Sequence, residues 1–285
     1  MNTGADAALG LRDMTADDLD AVSALSRAVR WPHRLEDLAL MLQMGEGAVA
    51  EDSTGLVGTA MCWRHGEDVG TLGMVIVRED RRRQGLGRAL TQEMMRRLGP
   101  RSIQLNATQE GLSLYEALGF APIGRIRQHQ GSAFTAPMPR LRKGERVRPM
   151  ALSDGAVVAA LDRAASGMVR SELLDALREQ AQGVILDRAG EASGFALFRR
   201  FGHGYVVGPV VAPDREGART LITHWLGSQA GKFIRLDVTA DSGLSDWLTE
   251  LGLEPVGEVV TMVRGRPPKR SDAAVTFAII SHSFG

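Results

Sequence analysis

Arg82-Arg83-Gln84-Gly85-Leu86-Gly87-Arg88-Ala89 follows an apolar, strand-like run from Leu72 to Val77 and opens a segment of helical periodicity. Its two glycines let backbone N–H groups approach a ligand closely, a helix N-terminus adds partial positive charge, and the arginines add full charges. The stretch therefore reads as an anion cradle whose natural guest is a pyrophosphate. A Walker-type loop needs Gly-Lys-Ser/Thr at its end, whereas Gly87 is followed by Arg88 and Ala89. A dinucleotide fingerprint needs a third glycine three residues after Gly87, where Leu90 stands. What remains is Arg82-x-x-Gly85-x-Gly87.

Working outward, Leu86, Leu90, Met94 and Leu98 recur at helical spacing, so a helix is expected over Leu86 to Leu98. Upstream, Leu11 to Met14 reads as a short strand, and Thr15 with Asp17 and Asp18 caps a helix whose Leu19, Val22, Leu25 and Val29 share a face. The runs Ala48 to Glu51, Gly58 to Arg64 and Thr71 to Val77 suggest an antiparallel meander. Downstream come a strand at Ile103 to Leu105, a short helix from Gly111 to Leu118 stopped by Gly119, and a strand at Ala121 to Arg127.

The chain repeats itself at an offset of about 135 residues. Leu11-Arg12-Asp13-Met14 parallels Val147-Arg148-Pro149-Met150, and Val49-Ala50-Glu51-Asp52 parallels Ile185-Leu186-Asp187-Arg188. Gly73-Met74-Val75-Ile76-Val77 parallels Gly208-Pro209-Val210-Val211-Ala212, and Leu118-Gly119-Phe120-Ala121-Pro122 parallels Leu251-Gly252-Leu253-Glu254-Pro255. So long a period indicates two copies of a domain, 1–135 and 145–285, joined by a linker within Gly131 to Glu145. The expected class is α/β in its α+β form: two domains, each a mixed, mostly antiparallel sheet flanked by helices.

The 285 residues carry 34 Lys+Arg and 34 Asp+Glu, which excludes a global basic field for nucleic acid. The single cysteine, Cys62, lies in an apolar run and reads as a small buried hydrophobe. Met1 to Asp6 lacks the basic and apolar pattern of a leader, and no stretch approaches the ~18 apolar residues of a membrane span. A cytoplasmic protein with no membrane partner is the expectation.

Together with Leu114-Tyr115-Glu116-Ala117-Leu118-Gly119-Phe120, the cradle resembles the GNAT superfamily of N-acetyltransferases. The family's acyl-CoA loop has the pattern Gln/Arg-x-x-Gly-x-Gly/Ala, followed by Leu-Tyr-x-x-x-Gly-Phe. The resemblance implies acetyl-CoA as co-substrate, no metal, and direct attack of an acceptor amine on the thioester. It assigns the pyrophosphate to Arg82, Arg83, Gln84, Gly85, Leu86, Gly87 and Arg88, and the pantetheine to the backbone of Val75, Ile76 and Val77. Tyr115 would protonate the departing thiolate. Where the family often has Asn, seven residues before this tyrosine, stands Thr108, so Asn106 and Thr108 are both candidates for that contact.

A neutral amine is required, and Glu51, His65, His33 and His129 are candidate bases. Trp31 and His33, between the first two helices, are expected to contact a small-molecule acceptor. So is His129, in the polar run Arg127 to Gly131 just past the last strand of the first copy. In the second copy the cradle is replaced by Pro213-Asp214-Arg215-Glu216-Gly217-Ala218-Arg219, and Leu248 stands in the place of Tyr115. This copy resembles the degenerate C-terminal domain of tandem GNAT proteins, with a role in shaping the pocket, in pairing as a homodimer or in regulation; Val275 to Ile280 would complete its sheet. A CoA-binding sensor with decayed catalysis is the reading from a different class.

Overall fold

The computed structural model describes residues 10–132, 136, 138–139 and 141–285. Met1 to Asp6 lies outside them, as do residues 133–135, 137 and 140 of the expected linker. Contacts divide the chain into two compact units, Met1–Ile103 and Gln104–Gly285.

The first unit runs β1 (Gly10–Asp13), α1 (Leu19–Ala28), α2 (Leu35–Met44), β2 (Glu46–Asp52), β3 (Gly55–His65), β4 (Val69–Val77) and α3 (Leu86–Leu98). The four strands form an antiparallel meander in chain order. α3 spans the expected residues and buries Leu86, Leu90, Met94 and Leu98 against the sheet, each contributing about 2 kcal/mol by leaving water. The turn into α1 is held by Asp18, which accepts from the Thr15 N–H at 2.8 Å and is gripped by both Nη atoms of Arg12 at 2.8 Å. The Arg12 hydrogen bonds lower its carboxyl to about 2.

The second unit begins within β5 (Ser102–Ala107) and continues through α4 (Leu112–Glu116), β6 (Ala121–Ser132), β7 (Glu145–Pro149), α5 (Gly155–Ser166) and α6 (Ser171–Gln180). β8 (Ala181–Arg188), β9 (Glu191–Phe201), β10 (Gly204–Ala212), α7 (Arg215–Ser228), β11 (Phe233–Thr239), α8 (Ser245–Glu250), β12 (Glu254–Arg264) and β13 (Val275–Ala278) complete it. Its sheet has the order β5-β12-β6-β11-β13-β10-β9-β8-β7. Phe198 stacks between Tyr205 and Trp225, with centroids 4.7 and 5.1 Å away, in the core beneath α7.

Local details of the first repeat recur in the second. Arg148 grips Asp154 at 2.7 Å as Arg12 grips Asp18, and Asp154 accepts from the Ala151 N–H at 2.7 Å. Gly183 lies under Met150 as Gly47 lies under Met14; an added Cβ would stand 2.8 and 2.9 Å from the respective sulfurs.

The repeats and the compact units divide the chain differently, and strand exchange is the reason. β6 and β12 are equivalent, each following the matched glycine 119 or 252. Yet β12 of the second repeat lies beside β5 of the first, and β6 of the first lies beside β11 of the second. β6 is therefore paired along both edges, with β11 and β12. This overturns one expectation: Arg127 to Gly131 is part of β6 and not a run past its end. Its polar composition hid a strand whose two ladders lie far away in sequence.

Candidate functional site

β4 leads through a 3-10 turn at Glu79–Arg81 into the cradle. Gly85 caps α3 with φ +83°, a left-handed conformation that costs an L-residue with a Cβ about 1–2 kcal/mol, and Arg83 shares the sign with φ 61°. No side chain caps this helix start. Ala89 is the first residue whose N–H reaches a carbonyl, that of Gly85 at 3.0 Å, so the preceding N–H groups face outward for another acceptor. Arg82, Arg83, Gln84, Gly85 and Arg88 are exposed, while Leu86 anchors the loop in the core. Two nearby acids are already engaged, with Arg78 holding Asp80 at 2.7 Å and Arg81 holding Asp52 at 2.8 Å, while Glu79 is exposed. Positive charge and free N–H groups thus converge on one open loop, which fits a pyrophosphate.

The end of β4 carries a feature that composition did not reveal. Between the pairs Met61–Gly73 and Thr59–Ile76, β4 advances one residue more than β3, and the extra turn is taken up by Met74 at φ 53°. Such a bulge bends the strand and releases backbone groups from the ladder, immediately before Val75, Ile76 and Val77. Arg82 Nε reaches back to Val77 O at 3.4 Å, joining strand end and cradle within the first unit.

Tyr115 lies in the second unit on α4, 9 % exposed, edge-on to Phe120 with ring centroids 5.9 Å apart. Burial alone pushes its phenol up to about 12, so the hydroxyl remains a proton donor at neutral pH. Thr108 caps the turn before α4, and a Cβ placed on Gly111 would lie 3.0 Å from the Tyr115 ring and 3.7 Å from Thr108 Oγ1; the two candidates flank that glycine. Asn106 is committed elsewhere: its Nδ2 donates to His282 O at 2.9 Å, and its Oδ1 accepts from Thr261 Oγ1 at 2.7 Å. It fastens β5 to its exchanged neighbour β12.

The remaining candidates separate. His33 bonds Ser26 Oγ through Nδ1 at 3.0 Å and meets Trp31 edge-on, so these two are together in the first unit. Glu51 pairs with Arg12 at 2.9 Å on an exposed edge. His65 is buried on Thr71 Oγ1 at 3.0 Å. His129 is fully buried in the second unit, with Nδ1 on Leu253 O at 2.9 Å and Nε2 on Ser245 Oγ at 2.8 Å. Both of its nitrogens are occupied in holding β6 to α8 and the start of β12. Cys62 is buried as expected, and desolvation raises its thiol to about 12.

Residues 44–122 match the acetyltransferase (GNAT) domain family, and residues 158–278 match a second family of the same description. The chain belongs to the GNAT superfamily. Two GNAT domains stand in tandem, and the protein is an acetyltransferase of the GNAT type. It is 29 % identical over 231 residues to an uncharacterized N-acetyltransferase of Bacillus subtilis, YitH, covering 78 % of this chain and 79 % of that one. Its fold is similar to that of an acetyltransferase candidate from Pyrococcus horikoshii, with TM-score 0.80 at 19 % identity over 97 % of this chain and 96 % of that one. It is also similar to a tandem GNAT protein from the clavulanic acid biosynthesis pathway, with TM-score 0.64 at 15 % identity over 93 % and 100 %. No described helix is long and apolar enough to cross a membrane.

The second GNAT repeat has the same skeleton with its openings closed. β10 carries a bulge between Val207 and Val210, at the position equivalent to Met74. β10 and β11 pair directly at Tyr205–Ile234 and Val206–Arg235, and then diverge. β13 enters the gap, pairing with Val210, Val211 and Ala212 on one side and with Val238 on the other. The strand edge equivalent to Val75–Val77 is thus taken by the chain itself. At the helix that follows, Asp214 Oδ1 accepts from the Gly217 N–H at 2.8 Å and fills the anion position with a carboxylate.

The second unit also encloses a cavity of about 290 Å³, lined by Gln104, Asn106, Ile126, Arg170, Thr261 and Ile279 among others, with Asp241 at an exposed position. Gln104 Oε1 is buried there without a hydrogen-bond partner among the described residues. No sequence signal marked this cavity, because its lining comes from separate segments spread between Gln104 and Gly285.

Proposed function

We propose that the chain transfers an acetyl group from acetyl-CoA directly to a primary amine of a small-molecule acceptor in the cytoplasm. The open N-terminus of α3, with Gly85 at φ +83° and exposed Arg82, Arg83 and Arg88, carries the donor half of this reading. The loop holds the pyrophosphate by N–H groups and guanidinium charges, and the backbone of Val75, Ile76 and Val77 aligns the pantetheine after the Met74 bulge. The amine nitrogen forms a bond to the thioester carbonyl carbon, the C–S bond breaks, and the Tyr115 hydroxyl gives its proton to the leaving sulfur. A proton lost from the attacking nitrogen passes to water, and water returns a proton to the Tyr115 phenolate. No covalent bond to the protein is needed, since positioning supplies the rate.

The second unit by itself offers a polar cavity of about 290 Å³ in which the Gln104 Oε1, without a partner among the described residues, and the Asp241 carboxylate can each accept from an amine N–H. Trp31 and His33 remain acceptor contacts in this reading, and Thr108 a donor contact. A free-thiol assay with acetyl-CoA across a panel of small amines tests it. Thiol release above the uncatalysed rate with at least one amine is expected, and tight acetyl-CoA binding with no release across the panel would overturn it.

A further inference from the structure

The second unit carries another cavity, of about 540 Å³, between α5, the start of α6 and the segment joining β12 to β13. Its lining includes Arg163, Arg170, Lys269 and Arg270 with the hydroxyls of Ser171 and Ser271, and contains no Asp or Glu. In a chain of 34 basic and 34 acidic residues this is a strong local excess. Arg170 is neutralised, since Asp162 accepts from it at 2.7 and 3.0 Å. Arg163, Lys269 and Arg270 are exposed and have no ion-pair partner among the described residues. Three acids adjoin lining residues in sequence, Asp162, Glu172 and Asp272; Asp162 is taken by Arg170, and none of the three lines the cavity.

The start of α6 strengthens the field. Its N-cap is Arg170, whose guanidinium has donors only and so cannot cap the helix; it is turned to Asp162. The first N–H with a carbonyl partner is that of Leu174, on Arg170 O at 3.0 Å. The earlier N–H groups of this ten-residue helix therefore need an acceptor from outside. The contrast with α7, closed by Asp214, lies within the same unit.

We propose that this cavity binds a phosphate-bearing small molecule. Guanidinium forks at Arg163 and Arg270 match phosphate oxygens in pairs, Lys269 adds a point charge, and the two serine hydroxyls and the α6 N–H groups donate further hydrogen bonds. The volume lies in the range of small-molecule sites, ~300–1,000 Å³. The site is separate from the α3 cradle and does not depend on how the acetyl transfer is assigned. Arg170 and Arg270 also line the 290 Å³ cavity, so a bound phosphate would press on its wall.

The test is calorimetric titration of the full chain with inorganic pyrophosphate, made in an Arg82→Gln/Arg83→Gln background so that the α3 loop contributes little. Saturable binding at one site per chain is expected. Adding Arg163→Gln/Lys269→Gln should weaken it at least tenfold, while Arg96→Gln/Lys143→Gln, the same charge change elsewhere, should alter it less than twofold. Absence of saturable binding, or equal losses in the two double variants, would overturn the proposal. Circular dichroism of each variant checks that it is folded; all of the replaced side chains, Arg82 and Arg83 included, are exposed, so unfolding is not expected.

Discussion

The Asp214 carboxylate accepts a hydrogen bond from the Gly217 N–H at 2.8 Å, closing the N-terminus of α7 with the chain's own anion. At the equivalent place in the first repeat, α3 starts at Gly85 with no side-chain cap and three exposed arginines around it. One fold thus presents the same helix terminus twice, once open and once occupied. The bulged strands show the same contrast, with β13 hydrogen-bonded along Val210 to Ala212.

One acetyl-CoA per chain follows from this pair of closures. Calorimetry should give a stoichiometry near one. Replacing Arg82 and Arg83 by Gln should weaken binding at least tenfold, since charge-assisted hydrogen bonds contribute about 1.5–3 kcal/mol each. Arg219→Gln in the second repeat should change it less than twofold; a second equivalent of acetyl-CoA that persists in Arg163→Gln/Lys269→Gln would show that β13 and Asp214 do not close that repeat.

Gly85→Ala isolates the cost of the turn. A Cβ at this position would meet no atom within 4 Å, so only the backbone at φ +83° resists it. Urea unfolding should show a loss of about 1–2 kcal/mol. Acetyl-CoA affinity should fall as well, because a relaxed turn moves the N–H groups at the start of α3. Unchanged stability and affinity would mean that this conformation is not required.

Tyr115→Phe should lower kcat at least tenfold while leaving the KM for acetyl-CoA within twofold, the pattern of a group needed when charge builds on the leaving sulfur. Burial disfavours the phenolate and pushes the phenol up to about 12. The proton is therefore retained through pH 10, and kcat should show no descending limb from this group below that pH. A rate unaffected by the substitution would leave Tyr115 as a packing residue beside Phe120.

Local signals were legible and pairings were not. The α3 span, the meander and the cradle follow from periodicity and glycine placement, and the repeat is visible in matched tetrapeptides such as those at Arg12 and Arg148. The exchange of β6 and β12 carries no sequence mark, because each strand has the pattern suited to either neighbour. It turned the polar run around His129 from an expected acceptor loop into a strand paired on both edges. It also committed Asn106 to Thr261. The Met74 bulge left no more trace than one residue of excess, which appears only when two strands are laid side by side.

His282 provides a pH signature of the second unit. Its Nε2 lies 3.6 Å from Asp237 Oδ2 and 3.5 Å from Arg235 Nη2, with Asp237 and Arg235 both on β11. Desolvation lowers the imidazole to about 4; Arg235 adds to the effect and Asp237 opposes it. Between the unfolded value of ~6.5 and this folded value, the unfolded chain binds a proton that the folded chain does not, so stability rises with pH across the window and is lost as pH falls through it. The slope from this one group approaches ~1.4 kcal/mol per pH unit. Chemical unfolding of the native chain and of His282→Gln from pH 7 to 4 should show the difference between them narrowing or reversing toward acid. A difference that stays flat over this range would mean that His282 titrates alike in the folded and unfolded chains.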